Sequence, residues 1–262
     1  MTEPAPGRIA YHVLGGFRVR RGDRWLTPSD WRRPMAARLV RFLLARRGRA
    51  VPEDELLEAF WPDRDVPAGR RSLAVAASQA RAALGGEGDG EGAIRVAEHL
   101  YRLVLRPADT VDADAFERAA EEALRVGPVA PRGLRLEHAA ALWGGEPLPE
   151  DRYADWAAGW RDHLADRHRE VLAALSDAHS EGGDHDAALR AARRMLESDP
   201  LDECAHRRVM RAYAALGRRT RALEQFLQCR RALVEAVGIE PSAETAALHA
   251  CILGGRELEV AA

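Results

Sequence analysis

"RRSLAVAASQARAALGG", residues 70–86, has the apolar spacing of a helix, and the use made of its two faces decides the fold. At 100° per residue Leu73, Ala77, Ala80 and Leu84 fall on one stripe. The opposite face carries Arg71, Val75, Ser78 and Ala82, flanked by Ser72, Ala74 and Gln79. Taken without context this is a packing helix with a solvated pair, Arg70 and Arg71, at its start. The flanking sequence supplies the context.

Upstream, residues 8–26, "RIAYHVLGGFRVRRGDRWL", alternate as strands do: Ile9, Tyr11 and Val13 share one face, as do Phe17 and Val19, and Gly22-Asp23 supplies a tight turn. Pro34 suits a first helical position, and Met35, Leu39, Phe42 and Leu43 recur at helical spacing until Gly48. Pro52 to Trp61 reads as a short second helix with Glu53, Asp54 and Glu55 in its first turn, where the dipole favours acids. Arg70 to Leu84 is the third. Downstream, "GGEGDGEG" at 85–92 reads as a connector and "AIRVAEHLYRLVL" at 93–105 alternates as a hairpin. A β-meander, three helices and a β-hairpin wing, in that order, make a winged helix-turn-helix. In that fold the third helix enters the major groove and the wing lies on the flanking backbone.

Charge points the same way. All 39 basic residues are arginine, so neither a Walker A loop nor a pyridoxal Schiff base, each of which needs a lysine, is available. Residues 1–106 hold 19 Arg against 13 Asp and Glu, a net +6, whereas 107–262 hold 20 against 28, a net −8. A basic half beside an acidic half suggests a polyanion-facing module joined to something else. Cys204, Cys229 and Cys251 are widely spaced, form no C-x-x-C and read as reduced packing residues. "MTEPAPGRIA" has no basic start followed by an apolar run, which gives the expectation of a soluble, cytoplasmic protein without a membrane segment.

From Val111 onward the chain reads as helical, with breaks at Gly127-Pro128, Gly144 to Pro149, Gly182-Gly183, Pro200, Gly217 and Gly238 to Pro241. "GGDHDAALRAARRMLESDP" and "LGRRTRALEQFLQCRRALV" align Gly183 with Gly217 and Ala188-Leu189 with Ala222-Leu223, each at the 34-residue tetratricopeptide period. Trp156 and Trp160, one helical turn apart, read as a packing seam in that array. His163 and His168 are five apart rather than four, and no H-E-x-x-H or G-x-S-x-G occurs, so no metal site, cofactor site or catalytic constellation is expected. Cys204 and His206, two apart, point to different helix faces, which makes a nucleophile–base pair improbable. The fold class expected is therefore mainly α with a small β part: a winged helix over residues 1–106 and an all-α, TPR-like helical repeat domain over 107–262.

Several stretches carry a family resemblance: "LLEAFWPD" (56–63), "SLAVAASQARAAL" (72–84), "YRLVLRPADTVDADAFERA" (101–119), "AALWGGEPL" (140–148), "VMRAYAALGRRTRALEQF" (209–226) and "VGIEPSAETAALHACIL" (237–253). Over nearly its whole length the chain resembles the SARP architecture of actinobacterial antibiotic-regulatory activators, an OmpR-type winged helix followed by a bacterial transcriptional activator domain (BTAD). The resemblance implies a non-enzymatic transcription activator of a secondary-metabolite or similar pathway operon that binds direct repeats in promoter double-stranded DNA, self-associates there and recruits RNA polymerase.

Side-chain chemistry then nominates the DNA-binding residues. Arg71 suits guanine, Gln79 adenine, Ser78 either, and Val75 a thymine methyl. Arg70 and Arg81 on the flanks of the helix, Arg49 before the second helix, and Arg95 and Arg102 on the wing are placed for phosphates. The chain departs from the family at the wing turn. Ala97, Glu98, His99 and Leu100 precede Tyr101 where a Gly-Tyr pair usually follows a basic residue, and Glu98 repels a phosphate. The alanine-rich helix face and this acidic turn motivate the alternative, a protein-interaction regulator whose winged helix no longer reads DNA.

Overall fold

The computed structural model describes residues 8–85, 93–125 and 132–255. The start of the chain, the connector at 85–92 beyond Gly85 and the break at Gly127-Pro128 lie outside them. Internal contacts divide the chain into two compact units, Met1–Glu117 with Leu142–Ala165, and Arg118–Ala141 with Asp166–Ala262.

In the first unit, β1 (Ile9–His12), β2 (Arg18–Arg21) and β3 (Arg24–Trp25) form the meander, with Gly22-Asp23 as the two-residue turn between β2 and β3. Ile9, Tyr11 and Val19 are almost fully buried on its inner face. Next come α1 (Pro34–Ala45), β4 (Val51–Pro52), α2 (Glu53–Phe60), α3 (Val66–Leu84), and the wing strands β5 (Ile94–Ala97) and β6 (Leu100–Leu103). β4 pairs with β6, completing a three-stranded sheet in the order β4-β6-β5. β7 (Thr110–Val111) pairs in parallel with β1 and gives the first sheet the order β3-β2-β1-β7.

Two of these element boundaries differ from the sequence expectation. The third helix starts at Val66, four residues earlier than the periodicity indicates. Asp65 caps it by accepting from Ala68 N at 2.8 Å, Pro67 in the first turn sacrifices no intrahelical bond, and Gly69 lets Leu57 of α2 approach to 3.0 Å of where a Cβ would stand. Thr110 and Val111 are strand rather than the onset of helix. A two-residue strand has no readable period, and its partner lies about a hundred positions earlier in the chain.

α4 (Asp112–Leu124), α5 (Arg132–Leu142) and α6 (Asp155–Glu181) follow. The "LWGG" turn after α5 belongs to the first unit. There Gly15 N donates to Glu146 O (3.0 Å) and Leu148 N to Val13 O (2.9 Å), and the two backbones cross so closely that a Cβ on Gly144 would lie 2.8 Å from Leu14 O. Asp151 is buried there between Arg38 Nε (3.0 Å) and Arg41 Nε of α1. Trp156 packs on Phe42 of α1 with ring centroids 4.9 Å apart, so the tryptophan seam serves the first unit, not the repeat array expected for it.

The second unit contains α7 (His185–Ser198), α8 (Glu203–Ala215), α9 (Arg219–Val237) and α10 (Ala243–Leu253). The 34-residue repeat is real in three dimensions. Gly183 and Gly217 occupy equivalent left-handed turns (φ +78° and +72°), and Ala188 and Ala222 are both fully buried, where small side chains let paired helices approach. Leu189, Val209, Met210, Tyr213, Leu248 and Ile252 fill its core. The "GIEPSAET" stretch closes it. Ser242 caps α10, Glu203 accepts from Ser242 N, Ser242 Oγ and Thr245 Oγ1, and buried Arg207 donates to Thr245 Oγ1 at 3.0 Å.

Candidate nucleic-acid interface

The third helix turns Leu73, Ala76, Ala77, Ala80, Ala83 and Leu84 inward. Its exposed face is made of Arg71, Ala74, Val75 (43% exposed) and Ser78. Arg71 makes no ion pair among the described residues. Gln79 sits half-buried at the edge of this face, and its Oε1 is buried without a hydrogen-bond partner among them.

The five arginines expected at phosphates are placed unequally. Arg49, exposed, follows the left-handed turn at Gly48, and its Nε reaches Arg46 O at 3.4 Å. Arg95 and Arg102 are directly opposed across β5 and β6 and exposed together on one face of the wing. Arg70 is exposed but anchored, its Nε donating to Glu53 Oε1 at 2.6 Å. Arg81 is half-buried and its Nε donates to Ile94 O at 2.8 Å, tying the end of α3 to the start of the wing.

Residues outside the expected set also organise the site. Glu53, buried, receives Arg70 from α3 and lies 3.4 Å from His99 Nδ1 at the wing tip, while its own amide donates to His99 O at 2.8 Å. One carboxylate thus joins α2, α3 and the wing. Arg64 Nη1 donates to Ser72 Oγ at 3.0 Å beside the first turn of α3. The tip residues Glu98 and His99 both have positive φ (50° and 62°), the geometry of a tight two-residue turn that favours Asn-Gly, so the backbone is strained at this turn. Glu53 appears in the sequence only as a helix-start acid; its partner at 99 is brought to it by β4–β6 pairing and its partner at 70 by the packing of α3 on α2, neither of which local spacing announces.

Elsewhere, Cys204 is exposed and bonded by Arg207 Nη2, whereas His206 is buried between Pro200 O (3.0 Å) and Gln225 Nε2 (2.7 Å). A cleft of about 400 Å³ in the second unit is bordered by Arg193, Tyr213, Arg221 and Gln228, the first of which hydrogen-bonds the Tyr213 hydroxyl. Among the described residues no cluster of His, Cys, Asp or Glu is arranged to hold a metal ion, and no helix is long and apolar enough to cross a membrane.

The model of the bacterial transcriptional activator domain matches residues 111–253. The chain is 30% identical over 253 residues to the regulatory protein DnrI of Streptomyces peucetius, covering 92% of this chain and 91% of that one. It is 28% identical over 255 residues to the regulatory protein AfsR of Streptomyces griseus, covering 95% of this chain but only 25% of that longer protein. Among solved structures, Mycobacterium tuberculosis EmbR, in complex with a low-affinity phosphopeptide, superposes with a TM-score of 0.76 at 22% identity over 97% of this chain and 67% of that one, a likeness of fold. With the winged helix ahead of it and the helical repeats within it, this chain belongs to the bacterial transcriptional activator domain family as a SARP-type transcription regulator.

Proposed function

We propose that the protein is a sequence-specific DNA-binding activator, with residues 1–106 as the DNA-reading module and 107–262 as the activator domain. Two or more copies sit on promoter direct repeats in the cytoplasm, without a cofactor, and contact RNA polymerase to switch on a secondary-metabolite or similar operon. The carrying observation is the composite surface of α3 and the wing. A short-chained exposed face bearing Arg71, which has no ion-pair partner among the described residues, stands beside the opposed pair Arg95 and Arg102. In this reading Arg71, Ser78, Gln79 and Val75 face base edges, and Arg49, Arg70, Arg81, Arg95 and Arg102 lie along phosphates. Glu53 holds Arg70 and the wing tip in register, and Arg81 serves the wing as much as the duplex.

The test is selection of genomic promoter fragments by the full chain at two salt concentrations, with sequencing of what stays bound at the higher one. Fragments sharing a spaced direct repeat are expected, with log affinity falling by about 0.9 per phosphate contact for each log unit of salt. The exposed Val75 and Ala74 and the acidic Glu98 favour a second reading, a winged helix that binds another protein. Absence of duplex binding at low salt selects it.

A further inference from the structure

The outer face of the first sheet carries a cluster that DNA reading does not use. β-Pairing sets His12 opposite Arg18 and Arg20 opposite Trp25, and alternation puts all four on the face away from Ile9, Tyr11 and Val19. Trp25 is 43% exposed and shares its face with the two arginines, which makes a mixed apolar and cationic patch. Arg18 Cζ lies 5.3 Å and Arg20 Cζ 6.0 Å from its ring centroid, and the His12 ring is tilted against it at 5.1 Å. Neither Arg18 nor Arg20 has a carboxylate partner among the described residues, whereas Arg24 on the next strand pairs with Asp30.

A guanidinium stacked on an aromatic face has its rotamers limited while its N–H edge still points outward, so it is prepared for a carboxylate or phosphate at little entropic cost. Two such groups at i and i+2 of one strand stand about 7 Å apart, the spacing of alternate side chains on an extended peptide. In the proposed reading the duplex lies on the exposed face of α3, which bears Arg71, Val75 and Ser78 and none of these four residues. The inner face of this sheet packs toward the helices, Arg21 Nη1 bonding Ala83 O at the end of α3, and the exposed face of α3 looks the other way from the same core. We propose that the His12, Arg18, Arg20 and Trp25 face is a docking surface for a partner protein, taking an extended acidic segment whose alternate carboxylates meet the two arginines and whose apolar residue covers Trp25.

The test uses the full chain, a fluorescent peptide Ac-ELEFELE-amide, its glutamine counterpart Ac-QLQFQLQ-amide, and a promoter duplex selected as above. Binding of the acidic peptide is expected, with the glutamine peptide on the order of tenfold weaker or more. The double variant Arg18→Gln/Arg20→Gln, at one exposed and one half-buried position, is expected to keep the fold by circular dichroism, to lose the acidic peptide to the same degree and to keep its duplex affinity. Trp25→Ala is expected to weaken both peptides. Three results overturn the proposal. One is peptide binding that is absent or indifferent to the double variant. Another is a parallel loss of duplex affinity, which assigns the patch to DNA. The third is a shift in sedimentation of the double variant toward monomer, which assigns it to a second copy. The selection of fragments fails independently of the peptide arm, so the two readings are separable.

Discussion

At the scale of single residues, the proposed reading gives Arg71 and Arg102 two different jobs on one surface. Arg71→Ala is expected to cut discrimination between cognate and random duplexes by about 1–3 kcal/mol per half-site. Arg102→Ala is expected to weaken both duplexes alike and to lower the salt slope by about one. Anisotropy titrations at two salt concentrations check both, and identical behaviour of the two variants contradicts the division. His168, in the second unit, makes a pH prediction. Burial and then the nearby Arg194 push its pKa down to about 3. Arg194 Nη2 points at His168 Nε2 from 3.5 Å, and because a guanidinium only donates, that nitrogen accepts and carries no proton. The folded pKa lies below the unfolded value of 6.5, so stability from keeping the ring neutral is complete above pH 6.5. It is lost as pH falls toward 3, at a slope approaching about 1.4 kcal/mol per unit. Urea melts at pH 7 and pH 4.5 are expected to show a smaller loss for His168→Gln than for the parent.

At the scale of elements, the "LWGG" turn depends on the absence of side chains where it meets the end of β1. A Cβ at Gly144 would stand 2.8 Å from Leu14 O, and one at Gly15 2.2 Å from Gly144 O, in both cases backbone that cannot swing aside. Gly144→Ala is expected to destabilise by about 1–3 kcal/mol, read as a lowered melting midpoint, whereas alanine at Gly133, with nothing within 4 Å, is expected to be neutral or stabilising. Equal effects at the two positions would mean that the crossing carries no strain. The wing is tied down through other contacts. Glu53, Arg70 and His99 join it to two helices, and Arg81 bonds its first strand, so the wing is positioned by side chains of both α2 and α3.

At the scale of the whole molecule, the first folding unit is larger than the DNA-reading module proposed for it. Arg38 and Arg41 of α1 converge on Asp151, and Phe42 packs on Trp156, all within that unit. A fragment ending at 106 leaves Arg41, nearly buried, without its carboxylate. Removing one partner of a buried pair costs on the order of 3–5 kcal/mol. The 1–106 fragment is therefore expected to melt well below a 1–165 fragment in urea titrations followed by circular dichroism. Coincident transitions would show that residues 142–165 add no stability.

The sequence by itself determined the succession of meander, three helices and wing, the two faces of α3 and the 34-residue repeat, because each is written in local periodicity and in turn residues such as Gly22, Gly85, Gly183 and Gly217. Arg71, Val75 and Ser78 stand on the exposed face that this periodicity assigned them. Only the tertiary structure decided the rest: the parallel pairing of β7 with β1, the anchoring of Arg70 by Glu53 beside His99, and the assignment of Trp156 to α1 rather than to the repeats. These contacts join positions far apart in the chain. Their partners are chosen by loop closure and by the fit of whole elements, which no spacing within one segment encodes.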